Sequence, residues 1–160
     1  MTKTEEAAAA LLSALEKKGR TLATAESCTG GMIGAALTAI PGSSNVYLGG
    51  VISYTNGVKK QLLHVSRETL EAYSAVSPET AQAMAEGARA AIHADIALSV
   101  TGLAGPSGDG SGKPVGLVYV GCATSAGTLV QRHLFSGDRA PLWQDGELGQ
   151  SHTSSGKEDD

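Results

Sequence analysis

The chain predicts a single α/β domain with a mixed β-sheet packed by helices. Three features of its 160 residues point there. Helix-like and strand-like segments alternate through the first hundred residues, two adjacent β-rich runs follow them, and hydrophobic residues make up 41% of the chain. Alternation implies crossover helices against parallel strands, and a late hairpin adds antiparallel ones. Aromatic residues are only 4%, so the core must be aliphatic.

Residues 4–18 have helical spacing, with Leu11, Leu12 and Leu15 on one face and Gly19 as the stop. Residues 21–25 form a short apolar strand that runs into Glu26-Ser27-Cys28-Thr29-Gly30-Gly31. A helix is expected over 31–40, ended by Pro41-Gly42, and a strand within 46–55. Asn56 is read as the N-cap of a short helix carrying Lys59, Leu62 and Leu63, and Ser66 as the cap of another reaching Leu70. Ser77-Pro78-Glu79 starts a longer helix running to about His93, with proline at its first position. A strand over 95–100 leads into a glycine-rich loop, 101–114, and two strands over 115–123 and 128–135 share a short turn. Residues 1–140 are therefore the domain. Residues 141–160, polar and aperiodic, are expected to be a disordered tail.

Composition excludes several functions. A formal charge of −4 opposes a nucleic-acid-binding surface. No apolar run approaches the roughly 20 residues of a membrane span, and the N-terminus lacks a secretory pattern, so a cytoplasmic location is expected. Two cysteines, Cys28 and Cys122, imply no disulfide framework, and the four histidines have no metal-ligand spacing. No metal and no cofactor is expected.

Chemistry is concentrated in three segments. The strand-to-helix turn at Ser27 could surround a nucleophilic hydroxyl with backbone N–H donors, or Ser27 and Thr29 could simply cap the helix. Lys59, near Tyr54, is either a solvated surface charge or a base kept neutral by burial. The 101–114 loop leaves the ligand side of a sheet but fails the Walker pattern: Ser107 stands where the first glycine belongs, and Pro114 follows Lys113. An ATP or GTP site is rejected. A substrate-lining loop and a plain connection remain equal readings.

Taken together, Thr24-Ala25-Glu26-Ser27-Cys28-Thr29-Gly30-Gly31, Pro41-Gly42-Ser43-Ser44, Ser53-Tyr54 with Lys59, Gly87, Thr101-Gly102-Leu103-Ala104-Gly105-Pro106 with Lys113-Pro114-Val115-Gly116, and Phe135-Ser136-Gly137-Asp138-Arg139 resemble the C-terminal domain of the CinA competence/damage-inducible family. That domain is also found as a stand-alone nicotinamide-nucleotide amidase, and this chain is expected to be of the form lacking a larger N-terminal domain. The resemblance covers residues 21–139. It implies metal-free hydrolysis of nicotinamide mononucleotide to nicotinate mononucleotide and ammonia, in pyridine-nucleotide recycling. Ser27 would be nucleophile, Lys59 general base, and Tyr54 and Thr101 orienting groups. Backbone near Thr29 and Gly30 would hold the oxyanion, Gly31 would contact the substrate, and Gly102, Gly105 and Arg139 the ribose-phosphate. The chain departs from the family after Arg139, where Pro141 and nearby glycines oppose an Arg-bearing terminal helix. The sheet face such a helix covers is then left to solvent or to a second copy, so a homo-oligomer is among the expected partners. The same departure favours the alternative function, a non-catalytic nucleotide-binding or partner-binding module.

Overall fold

A computed structural model describes residues 2–103 and 112–135. They form five strands and five α-helices in the order α1 (Lys3–Lys18), β1 (Leu22–Glu26), α2 (Met32–Thr38), β2 (Tyr47–Ile52), α3 (Asn56–Leu63), α4 (Arg67–Tyr73), α5 (Pro78–Ile92), β3 (Ile96–Gly102), β4 (Leu117–Thr124) and β5 (Gly127–Leu134). The expected tail, 141–160, lies outside the described residues.

The local signals explain most boundaries. Thr2 and Glu5 form a reciprocal capping box on α1, and Gly19 ends the helix at φ 66°. Ser66 caps α4 by accepting the Thr69 N–H, and Ser77 caps α5 by accepting that of Thr80, with Pro78 in the first turn. The cap of α3 is Thr55 rather than Asn56: Thr55 is extended and accepts the Val58 N–H at 3.3 Å, whereas Asn56 is already helical.

The sheet order is β2-β1-β3-β4-β5. β1 runs parallel to both β2 and β3, while β4 is antiparallel to β3 and β5. Strand alternation sends Leu22, Ile96, Leu98, Val100, Val118 and Val120 to one face, under Leu11, Leu12 and Leu15 of α1 and Ile33 and Leu37 of α2. The other face presents small residues, Ala23, Ala25 and Ala97, to Leu63, Leu70, Met84 and Ala88 of α3, α4 and α5. Small residues there let α5 approach closely. A Cβ on Gly121 would stand 2.8 Å from the Ala81 carbonyl oxygen. The parallel strands β1, β2 and β3 all end at one edge of the sheet, the edge where α/β proteins place ligands.

Candidate active site

β1 ends at Glu26, so alternation turns Ser27 toward the α3/α5 face, the side to which Ala23 and Ala25 also point. The parallel ladder continues past the strand ends. Ser27 N–H donates to the Val100 carbonyl (3.0 Å), and Ser53 N–H donates to the Glu26 carbonyl (2.7 Å). Both the turn after β1 and the chain after β2 are thereby fixed to the sheet.

Lys59 enters from α3, on the same inward face as Leu63 one turn on. Its side chain is 1% exposed. Lys59 Nζ lies 3.1 Å from Ser27 Oγ, 2.8 Å from the Ser53 carbonyl oxygen and 3.3 Å from that of Tyr54. As an ammonium it donates to all three oxygens. As a neutral amine it keeps two N–H bonds for the carbonyls and turns its lone pair to the Ser27 hydroxyl. Burial pushes the Lys59 pKa down from 10.5 to about 8, against a smaller opposing pull from neighbouring Cys28. The group can therefore change protonation state near neutral pH, as proton transfer to and from a serine requires.

The other sequence candidates fall into three groups. Tyr54 reaches Lys59 through its main-chain carbonyl, while its side chain is 62% exposed. Thr101 ends up in β3, buried, with Oγ1 donating to the Ala75 carbonyl at 2.7 Å; it is one residue from the carbonyl that holds Ser27. Gly102 is also a strand residue, paired with Val118, and a Cβ there would meet the Leu117 carbonyl oxygen at 2.8 Å, so crowding in the sheet explains the glycine. Gly105 and Arg139 lie outside the described residues.

At the turn itself, Gly30 and Gly31 hold φ values of 59° and 105°, which favour glycine. Their amides are engaged inside the protein. Gly30 N–H donates to the Ser27 carbonyl (3.1 Å) and Gly31 N–H to Glu26 Oε1 (3.1 Å). These glycines thus shape the turn, in contrast to the expectation that Gly30 would offer an oxyanion donor and Gly31 a substrate contact. Thr29 Oγ1 also donates to Glu26 Oε1, at 2.6 Å. Sequence reading overlooked Glu26 as a functional residue. The signal was an acidic side chain directly before a glycine-rich turn into a helix. Lys113, at the far end of the glycine-rich segment, is fastened to the α4–α5 turn through the Tyr73 carbonyl (3.0 Å), Ser74 Oγ (2.9 Å) and the Val76 carbonyl.

A mixed sheet carrying a buried serine–lysine pair at the carboxyl ends of its parallel strands defines the class: a small α/β domain with a candidate Ser/Lys site. Residues 4–145 match the model of the CinA C-terminal domain, and the chain belongs to the CinA family. A CinA-like protein of Parasynechococcus marenigrum is 49% identical over 138 residues, which cover 86% of this chain and 33% of that protein. A competence damage-inducible protein A from Klebsiella pneumoniae, of known structure, is 36% identical with a TM-score of 0.94, covering 98% of this chain and 97% of that one. A CinA superfamily protein from Escherichia coli is 33% identical with a TM-score of 0.91, covering 94% of this chain and 87% of that one. The chain spans about a third of the length of the curated relatives it matches.

Proposed function

We propose that the domain is an amidohydrolase converting nicotinamide mononucleotide to nicotinate mononucleotide and ammonia. The observation that carries this reading is the buried Lys59 amine 3.1 Å from Ser27 Oγ. Lysine is costly to bury, and a site that keeps one beside a serine hydroxyl has the nucleophile and base of an acyl-transfer dyad. Membership of the CinA family and the motif resemblance supply the substrate.

Ser27 Oγ attacks the carboxamide carbon while Lys59 Nζ takes the hydroxyl proton. The tetrahedral intermediate collapses as Lys59 returns that proton to the leaving nitrogen. Ammonia departs and leaves an ester on Ser27. Water then attacks the ester with Lys59 again accepting the proton, the ester C–O bond breaks as Lys59 passes that proton to Ser27 Oγ, and nicotinate mononucleotide is released. The Thr29 amide, which has no acceptor among the described residues, is the donor we assign to the oxyanion. Tyr54 is assigned to orient Lys59 through its carbonyl, Thr101 to brace the strand that holds Ser27, and Arg139 to the phosphate.

Ammonia release from nicotinamide mononucleotide tests the reading. The wild type should turn over, Ser27→Ala should be inactive with its fold intact, and Cys28→Ala should keep most activity. A Cys28→Ala protein that is dead beside an active Ser27→Ala protein would sink the serine mechanism. Binding of the nucleotide without any turnover would favour a non-catalytic module.

A further inference from the structure

Both members of the pair are tied to one residue that touches neither reacting atom. Glu26 closes β1 and is 3% exposed. Its carboxylate accepts the Thr29 hydroxyl (2.6 Å) and the amides of Gly31 (3.1 Å), Ile33 (3.0 Å) and Gly34 (2.9 Å). Its main-chain carbonyl accepts both Ser53 N–H (2.7 Å) and Ser53 Oγ–H (3.2 Å). The Ser53 carbonyl is in turn the shortest contact of Lys59 Nζ, at 2.8 Å.

We infer that Glu26 is the positioning residue of the Ser27–Lys59 pair. Its side chain fixes the turn that presents Ser27, and its carbonyl fixes the segment that holds Lys59. Four donors converge on two oxygens, so only a group with no hydrogen of its own fits both ends. Glutamine would turn an NH₂ toward one of those donors. The negative charge also complements the amino-terminal end of α2, whose cap residue, Gly31, has no side chain to offer. A consequence for recognition follows. The start of α2 is filled from within, so a nucleotide phosphate is held elsewhere.

This inference rests on Ser27 being an activated nucleophile, and the experiment separates the two claims. A fluorophosphonate probe is reacted with the full chain, the modified residue is identified by mass spectrometry, and the rate is expressed per folded molecule. Wild type should label at Ser27. Glu26→Gln should label about tenfold more slowly or worse, as expected for a displaced nucleophile. Its kcat should fall by the same factor while KM stays close to wild type. Glu26→Ala should be slower still and should regain rate when formate is added, with no effect of formate on wild type. A Glu26→Gln protein that labels at the wild-type rate overturns the inference even if fewer molecules are folded. Formate that speeds wild type and Glu26→Ala alike does the same. If Glu26→Ala does not fold, Glu26→Gln decides alone. A wild-type protein that does not label at Ser27 removes the nucleophile and this role of Glu26 with it.

Discussion

Lys59 concentrates the cost and the use of the site in one side chain. Unfolded, it titrates near 10.5; folded, it titrates at about 8. Between these values the unfolded chain binds more protons, so unfolding free energy contributed by Lys59 rises with pH across that window and is flat below it. Lys59→Met keeps the stem, removes the charge and leaves two carbonyls without their amine. It should lose the rise in stability that wild type shows between about pH 8 and 10.5, and abolish ammonia release. Denaturant unfolding of both proteins at pH 7 and pH 10 checks this. A stability difference between Lys59→Met and wild type that is the same at both pH values would mean the burial penalty is not there. Turnover should also follow deprotonation, with kcat/KM climbing through neutral pH and levelling above about 8. Lys59→Arg, which stays charged, should be nearly inactive at every pH, whereas Lys60→Arg should match wild type. Spacing alone left Lys59 open between a solvated charge, like its neighbour Lys60, and a buried base, and only the family resemblance singled it out. What separates them is the helical face: Lys59 shares its face with Leu63 and goes inward. Tyr54 shows a different limit. Its contact with Lys59 is a carbonyl, and main-chain roles leave no trace in residue identity.

Among the elements, α3 and α5 decide whether Lys59 reaches Ser27. They meet at Gly87, where a Cβ would stand 2.0 Å from the Leu63 carbonyl oxygen. That contact is with backbone, so no side-chain rotation relieves it. Gly87→Ala should push α3 outward and destabilise the protein by about 1–3 kcal/mol, despite alanine being the better helix former. It should also lower kcat in the molecules that remain folded. Thermal unfolding and ammonia release measured side by side test this; an alanine variant of wild-type stability would show that α3 can yield. The helices were legible because their ends carry local signals: Gly19, Ser66, and Ser77 with Pro78. Strand ends were less so. β3 runs through Thr101 and Gly102 because both pair with β4, at Tyr119 and Val118. Those partners lie beyond the glycine-rich segment, so no local pattern could show that Thr101 belongs to the sheet rather than to a loop.

For the whole molecule, the order β2-β1-β3-β4-β5 brings together segments far apart in the chain at one sheet edge. The mixed α/β class could be read from the alternation of patterns. The order could not, since it depends on which aliphatic faces match once helices pack. No cluster of three or more histidine, cysteine or acidic residues able to hold a metal occurs among the described residues. Ammonia release should therefore persist unchanged in excess chelator, and loss of turnover restored by zinc would call for a different mechanism. No described helix is long and apolar enough to cross a membrane.

The ladder that runs past β1 into the site has a dynamic consequence. Ser27 donates its amide hydrogen to Val100, a buried residue of the central strand β3, and Ser53 donates its own to Glu26. A nucleophile on an ordinary loop would exchange its amide with solvent through small local openings. Here that hydrogen can leave only when β1 and β3 part. In heavy water, the Ser27 and Ser53 amides should therefore be among the slowest in the chain, exchanging at the rate of global unfolding, while amides of the exposed β4–β5 turn are gone early. Ser27 keeps its place for as long as the protein stays folded.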